Sequence, residues 1–317
     1  MIERDCVTFG ETMALFHGEA AVPLTQATTF TRSTAGAESN VAIGLARLGH
    51  AVGWFGRVGA DALGAAVLAA LRAEGIDVGH ARVDGEGPTG LLIRDSHGQR
   101  RISVLYYRDG SAGSRLARED VDDDYVASAR LLHTTGITPA LSKAALAATE
   151  RTVAVAKQHG RHVSFDPNLR TRLWSPAEAA PVLRRLAGDA DTVLVGHHEG
   201  GLLCGRDEPR AIAEWFGAGE PGKVVVVKRG SAGAWATDGT QEWHADPHQV
   251  AVVDPVGAGD AFDAGYLSAV LHGHDIGTAV GWGCAAGALA VQGPGDTDAL
   301  PYRADLDATL AGTDIDR

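Results

Sequence analysis

The chain has 317 residues, 45% of them hydrophobic, and a formal net charge of −12. This length allows one large α/β domain or two smaller ones with an ample core. The acidic balance argues against nucleic acid or an anionic membrane surface as a partner, because both need basic clusters. The three cysteines lack metal-ligand spacing, and neither a signal segment nor a membrane-spanning run is present, so a cytoplasmic protein with reduced thiols is expected.

The first hundred residues alternate strand and helix signals. Residues 6–9 favour a short buried strand, and residues 38–48 favour a helix whose mouth carries the motif AGAESN at 35–40. A strand over 51–58 and a helix over 62–74 follow. This βαβ order predicts a parallel sheet covered by helices on both faces.

The stretch from 82 to 108 departs from that order. Residues 89–94 and 101–107 favour strands, and Ser96-His97-Gly98 between them predicts a turn, so a hairpin lid is expected. The hairpin ends in Tyr106-Tyr107-Arg108. Phenol hydroxyls and a guanidinium suit a ligand with hydroxyls at one end and a carboxylate at the other. An edge strand protected by polar residues fits the same pattern.

A strand over 162–166 leads into the loop DPNLR at 166–170, where Pro167 ends the ladder. Ligands in parallel α/β sheets bind beyond the carboxyl ends of strands, so Asp166, Asn168 and Arg170 are candidate site residues. The next strand ends in GHHE at 196–199.

A further apolar strand over 223–228 ends in KRGSAG at 228–233. A plain hairpin turn is the alternative to a ligand-binding role for this segment.

The segment DPVGAGDAF at 254–262 predicts a tight turn that opens a helix over 261–271. Free N–H groups and the helix dipole favour a phosphate at such a helix start. Asp260 is then placed to accept the proton of an attacking hydroxyl. A simple N-cap role for Asp260 is the alternative.

Residues 254–266 resemble the C-terminal signature of the ribokinase-like (PfkB) carbohydrate kinases, and residues 35–40 resemble their N-terminal GGxxxN signature with Ala35 in place of the first glycine. The resemblance implies an α/β ribokinase-like three-layer sandwich with a mostly parallel central sheet and a small β-sheet lid. It also implies one domain over residues 1–317, with lid segments around 12–34 and 82–110 that pair two subunits into a dimer.

The resemblance also assigns roles to residues. The predicted catalytic residues are Asp260 as the base, Gly257, Ala258 and Gly259 as the anion hole, and Arg170. The predicted sugar contacts are Gly36, Ala37, Asn40, Tyr106, Arg108, Arg170, Asp260 and Asp296. The predicted nucleotide contacts are Asn168, Lys228, Gly230, Gly233, Gly257 and Gly259. Glu199 is expected to act on magnesium through water, although Gly196 replaces the family's asparagine.

Within the family, YYR at 106–108 and DPNLR at 166–170 are similar to the 2-keto-3-deoxygluconate kinases, with Leu92 where relatives can have a tyrosine. This similarity implies ATP-dependent phosphorylation of an acidic keto-deoxy sugar with Mg2+. It leaves open whether a monovalent cation also binds and whether the galactose-derived epimer is the substrate. The alternatives within the family are fructokinase, ribokinase and nucleoside kinase activities. A sugar sensor without catalysis is an alternative of another class, and the intact Asp260 and glycine turn argue against it.

Overall fold

A computed structural model describes residues 2–20, 22–96 and 103–312. Their strands are β1 Arg4–Phe9, β2 Met13–Ala20, β3 Phe30–Ala35, β4 Val52–Phe55, β5 Arg57–Gly59, β6 Arg82–Asp84, β7 Leu91–Ser96, β8 Val104–Tyr107, β9 Ala129–Thr135, β10 His162–Asp166, β11 Thr192–Gly196, β12 Val224–Lys228, β13 Ala234–Thr237 and β14 Glu242–Ala245. Their α-helices are α1 Ala37–Arg47, α2 Ala62–Ala73, α3 Asp123–Ala127, α4 Ile137–Leu141, α5 Lys143–Gln158, α6 Pro176–Asp189, α7 His197–Cys204, α8 Pro209–Trp215, α9 Ala258–Leu271, α10 Ile276–Ala290 and α11 Arg303–Leu310.

Eight strands form the central sheet in the order β14-β13-β12-β11-β10-β9-β1-β4. The pairs from β12 to β4 are parallel, while β13 and β14 add antiparallel strands at one edge. The apolar runs of β11 and β12 are almost wholly buried, as expected for strands covered on both faces. One core cluster packs α1, α2, α9 and α10 on the sheet, and a second packs α5, α6 and α8. The predicted α/β three-layer class is confirmed.

A second sheet of four strands, in the order β3-β2-β7-β8, lies apart from the central one. The strand predicted over 89–94 is seen as β7, and the described part of the one predicted over 101–107 is seen as β8. The predicted turn residues His97 and Gly98 lie outside the described residues. We call this second sheet the lid sheet.

The single strand predicted over 51–58 is wrong. The chain forms β4, breaks at Gly56, and then forms β5, which pairs with β6 in a separate two-stranded sheet. Any side chain at Gly56 would come within 2.3 Å of the carbonyl oxygen of Gly10. The break therefore reflects a close backbone approach that the apolar pattern does not reveal.

Helix α9 lies between α1 and α10 at short range because small residues face one another. A methyl group added at Gly44 of α1 would lie 2.6 Å from the Cβ of Ala264. One added at Gly265 would lie 2.6 Å from the carbonyl oxygen of Trp282. This packing fixes the position of α9 relative to α1 and α10. No helix in the described ranges is long and apolar enough to cross a bilayer.

Candidate active site

The carboxyl ends of the central strands and the inner face of the lid sheet border a cleft of about 980 Å³. Every site residue predicted from the sequence lines this cleft. They are Gly36, Ala37, Asn40, Tyr106, Arg108, Asn168, Arg170, Glu199, Lys228, Gly230, Gly233, Gly257, Ala258, Gly259, Asp260 and Asp296. The fold thus brings together segments that are widely separated in the sequence, and the roles of these residues stay predictions.

The glycine turn caps α9 with Gly257 in the left-handed region at φ 80°. A Cβ at Gly257 would lie 2.6 Å from the carbonyl oxygen of Asp296, so only glycine fits here. The N–H of Ala261 is bonded to the carbonyl of Gly257, as expected for the first complete helical turn. The amides of Gly259 and Asp260 precede it in the helix, where backbone N–H groups lack intrahelical acceptors. They can bind an anion at this end of the cleft.

Asp260 is 8% exposed and accepts a hydrogen bond from Asn40 Nδ2 at 2.7 Å. Burial raises the pKa of its carboxyl to about 6, although the Asn40 bond and the nearby Arg170 charge oppose the rise. Asn40 Oδ1 is buried and has no hydrogen-bond partner in the described chain. A ligand hydroxyl that donates to Asn40 Oδ1 would therefore lie beside a carboxylate able to accept a proton near neutral pH.

Lys228 is held by two buried carboxylates. Its Nζ lies 3.0 Å from Asp166 Oδ2 and 2.9 Å from Asp263 Oδ1. Burial favours the neutral amine, but the charges of Asp166 and Asp263 outweigh it and raise the pKa of Lys228. Lys228 therefore stays protonated and places a fixed positive charge at the bottom of the cleft, although the protein as a whole is acidic.

Asn168 has a positive φ of 39°, which is strained for a residue with a side chain. Its backbone N–H donates to Asp166 Oδ1 at 3.0 Å, and this contact stabilises the turn after β10. Asn168 Oδ1 is buried without a partner among the described residues. Strain and an unpaired acceptor at one residue suggest that the loop is shaped for a ligand.

Glu199 connects two loops of the cleft. Oε1 accepts from the N–H of Gly196 and Oε2 from the N–H of Leu169, both at 2.6 Å. Burial raises its pKa to about 7, and the charge of Asp166 adds to the rise. The described residues contain no group of three or more metal-ligating side chains. Asp166 and Glu199 fit a magnesium ion that is held mainly by phosphate oxygens and water, since Mg2+ keeps several waters and takes one or two carboxylates.

Arg108 is not the free cation that the sequence suggests. Its Nη2 lies 2.5 Å from Oε2 of Glu11, whose other oxygen accepts from the hydroxyl of Ser111. Glu11 lines the cleft and was missed, although its place two residues after the end of the buried strand β1 could have marked it. The Nε of Arg108 has no hydrogen-bond partner in the part of the chain that is described, which leaves a donor for a ligand.

Tyr106 lies near two guanidinium groups at the edge of the lid sheet. Those of Arg108 and Arg172 are each 5.7 Å from its ring centroid. Arg172 also donates to the carbonyl of Val104 in β8 at 2.8 Å. Arg172, which the sequence reasoning missed, therefore ties the loop after β10 to the lid sheet.

Asp296 lies in the turn after α10, beside the glycine turn. Its Oδ1 is 3.3 Å from Nη2 of Arg94 in β7. Burial raises the pKa of Asp296 to about 7, the positive charge of Arg94 opposes the rise, and the charge of Asp260 adds to it. Arg94 is a further residue that the motifs did not single out.

Comparison with known proteins places this geometry in a family. Residues 3–303 match the model of the pfkB family of carbohydrate kinases. A 2-dehydro-3-deoxygluconokinase of Bacillus subtilis (strain 168) is 43% identical over 98% of this chain and 96% of its own length. The crystal structure of a 2-dehydro-3-deoxygluconokinase from Thermotoga maritima, 27% identical, superposes with a TM-score of 0.90 over 97% of this chain and 98% of that one. An E. coli protein solved in complex with ATP and Mg2+, 26% identical, gives a TM-score of 0.89 over 97% of this chain and 99% of that one. This chain therefore belongs to the pfkB family of carbohydrate kinases and has the ribokinase-like fold.

Proposed function

We propose that this protein transfers the γ-phosphoryl group of ATP to a hydroxyl of 2-keto-3-deoxygluconate, also called 2-dehydro-3-deoxygluconate, to give the 6-phosphate. The observation that carries the proposal is the contact of Asn40 with Asp260 at the glycine turn, in a cleft that also holds Arg108 and Arg170. The 43% identity to a 2-dehydro-3-deoxygluconokinase supports the choice of acceptor. ATP as donor and three unpaired thiols suit a cytoplasmic location.

In this mechanism the acceptor hydroxyl lies against Asn40 and Asp260. Asp260 accepts its proton as the oxygen attacks the phosphorus, and the bond from phosphorus to the leaving ADP oxygen breaks. The predicted anion hole of Gly257, Ala258 and Gly259, together with the adjoining amide of Asp260, stabilises the charge on the transferring group, because backbone N–H groups at a helix start are fixed before the reaction. Asp166 and Glu199 would hold a magnesium ion, which would supply charge neutralisation on the nucleotide oxygens. Phosphoryl transfer depends chiefly on positioning and charge, so these groups suffice.

A substrate panel tests this function. Purified protein with ATP and Mg2+ is given 2-keto-3-deoxygluconate, its galactose-derived epimer, fructose, ribose and adenosine, and ADP release is measured by a coupled assay. We expect the highest kcat/KM with 2-keto-3-deoxygluconate. A preference for a neutral sugar or a nucleoside would contradict an acidic sugar as the acceptor. If no compound of the panel caused ADP release, the sugar-sensor alternative would be favoured.

Removal of Arg108 or Arg170 is expected to discriminate acidic from neutral acceptors. Loss of a charge-assisted hydrogen bond costs about 1.5 to 3 kcal/mol, so KM for the acidic sugar should rise roughly 10-fold to 100-fold in Arg170→Met. Arg108→Met would leave the Glu11 carboxylate buried without a partner, so this substitution is combined with Glu11→Gln. Steady-state kinetics measure the change.

The matched control is Arg185→Met, at an exposed position on α6, which should leave KM unchanged. Any residual activity with fructose should be affected far less than activity with the acidic sugar. An equal loss for both acceptors would show that the arginines do not bind the carboxylate.

The pH profile of kcat/KM is expected to fall on the acidic side with an apparent pKa of about 6, the value to which burial raises Asp260. Only the ionised carboxylate accepts a proton, so activity increases as the pH rises through this value. The Arg170 charge lowers this pKa, so Arg170→Met should move the acidic limb to higher pH, while Arg170→Lys should leave it near the wild-type position. Profiles between about pH 5 and about pH 8 measure both effects.

The residual activity of Asp260→Asn provides the control for this assignment. It should lack the acidic limb. A limb that persists would point instead to Glu199 or Asp296, the cleft carboxyls whose pKa values burial raises to about 7.

We further propose that residues 1–317 act as one catalytic domain, in which segments 12–34 and 82–110 supply the lid, and that the lid pairs two subunits. Strand β8 is one of the two edge strands of the lid sheet as described, and Leu105 and Tyr107 on it are 45% and 58% exposed. Such an edge can pair with a second copy. The mass in solution, from light scattering, tests the dimer: a monomer at all concentrations would contradict it.

A further inference from the structure

Arg94 is an almost fully buried arginine that reaches out of the lid sheet. Its side chain is 2% exposed, and its Nη2 lies 2.7 Å from Asp254 Oδ2 and 3.3 Å from Asp296 Oδ1. Arginine is very rarely buried to this extent unless it is paired, because an isolated charge in the interior is costly. The two carboxylates that stabilise it belong to the segments around the glycine turn.

Asp254 holds the two segments that flank this turn. Its Oδ1 accepts from the N–H of Val256 at 3.1 Å, and its Oδ2 accepts from the N–H of Gly295 at 3.2 Å. The carbonyl of Asp296 in turn lies against Gly257, where a Cβ would approach to 2.6 Å. The Arg94 guanidinium therefore clamps the segment before the glycine turn to the turn that packs against Gly257.

The same strand also contributes to the acceptor side of the cleft. Leu92 lies two residues before Arg94, on the same face of β7, and pairs in register with Tyr106 of β8. Both Leu92 and Tyr106 line the cleft. The lid sheet and the glycine turn are thus joined by one strand that carries a cleft contact and a buried ion pair.

The clamp rests on few contacts. The Nε and Nη1 of Arg94 are buried and have no hydrogen-bond partner in the described part of the chain, so one nitrogen carries both carboxylate contacts. A small shift of β7 would weaken the contacts to Asp254 and Asp296 together. The segments beside the turn would then keep the bond from the Gly295 N–H to Asp254 but lose the guanidinium that bridges Asp254 and Asp296.

We propose that Arg94 is a positioning residue that couples the seating of the lid sheet on the acceptor to the placement of the glycine turn. When the lid is seated, the guanidinium bridges Asp254 and Asp296 and sets the amides that receive the transferring phosphoryl group. This inference rests on the proposed function, since it takes the glycine turn as the phosphoryl site. It predicts an effect on turnover and on binding of a transition-state mimic, with little effect on ground-state binding.

The test compares Arg94→Met and Arg94→Lys with Arg32→Met, a control at an exposed arginine of the same sheet. Displacement of a catalytic group by about 1 Å costs on the order of 100-fold, so we expect Arg94→Met to lower kcat about 100-fold with KM for both substrates nearly unchanged. Arg94→Lys keeps the charge but not the planar guanidinium and should show a smaller loss of kcat. Guanidinium ion at millimolar concentration should partly restore kcat in Arg94→Ala, while sodium ion should not.

A second readout does not depend on the acceptor. Affinity for ADP with aluminium fluoride, a mimic of the transferring phosphoryl group, should fall in Arg94→Met, while affinity for ADP alone should stay at the wild-type value. Thermal unfolding of each variant reports the folded fraction. If Arg94→Met does not fold, Arg94→Lys carries the test.

Two results would overturn the inference. One is a wild-type kcat per folded molecule in Arg94→Lys and Arg94→Met with only a lower Tm, which would make Arg94 a purely structural ion pair. The other is an equal loss of affinity for ADP and for ADP with aluminium fluoride. Failure of the proposed function would look different, because the wild-type protein itself would then release no ADP with the acidic sugar.

Discussion

Asp260→Asn is expected to lower kcat by about 100-fold to 10,000-fold while ATP affinity stays near the wild-type value. Asparagine has nearly the same size and can still contact Asn40, so the cleft should keep its shape. It has no basic oxygen that could accept the acceptor proton, so the loss falls on the transfer step. Steady-state kinetics give kcat, and equilibrium titration gives the affinity for ATP.

The matched control is Asp298→Asn, which removes one carboxylate from an exposed position close to the cleft. It should leave kcat unchanged and so separates the loss of a base from a general loss of negative charge. Near-normal turnover in Asp260→Asn would remove Asp260 as the base and return it to a helix-capping role.

Gly257→Ala is expected to lower kcat by about 100-fold to 1,000-fold, the range seen when one donor to a developing negative charge is lost. Two effects act together, since the residue has a positive φ of 80° and the new methyl group would lie 2.6 Å from the carbonyl of Asp296. The turn must move, and the amides of Gly259 and Asp260 move with it. Stability should also fall by about 1 to 3 kcal/mol because of the strained backbone.

Gly273→Ala separates the two effects. Gly273 follows the other end of α9, has the same φ of 80°, and a methyl group there would meet nothing within 4 Å. We therefore expect a loss of stability from the backbone conformation and a normal kcat. If Gly257→Ala also kept a normal kcat, the glycine turn would not be the phosphoryl site.

The central sheet and the glycine turn could be predicted because their signals are local. The apolar run of β12 and the DPVGAGD segment each specify their own conformation within a few residues. Helix α9 begins at Ala258, three residues before the predicted start, because Gly257 serves as the cap and the following glycine lies inside the first turn. The local pattern thus located the turn and slightly misjudged where the helix begins.

Contacts between distant segments could not be predicted in this way. Arg94 and Asp254 are 160 positions apart in the sequence, and nothing in the alternation of β7 shows that this arginine faces inward to an aspartate. The pairing of Arg108 with Glu11 is of the same kind. A buried charge depends on which partner the tertiary fold supplies, and one sequence does not state that partner.

The hydrogen bond between Asn40 and Asp260 joins groups 220 positions apart, and this separation has a consequence for biosynthesis. A nascent chain that has left the ribosome only as far as β12 already holds the lid strands, Arg108 and Arg170, but neither Asp260, the proposed base, nor the glycine turn. If Asp260 is the base, as proposed, we expect enzymatic turnover to begin only after α9 has emerged and packed against α1. Activity gained during translation would report that late docking step.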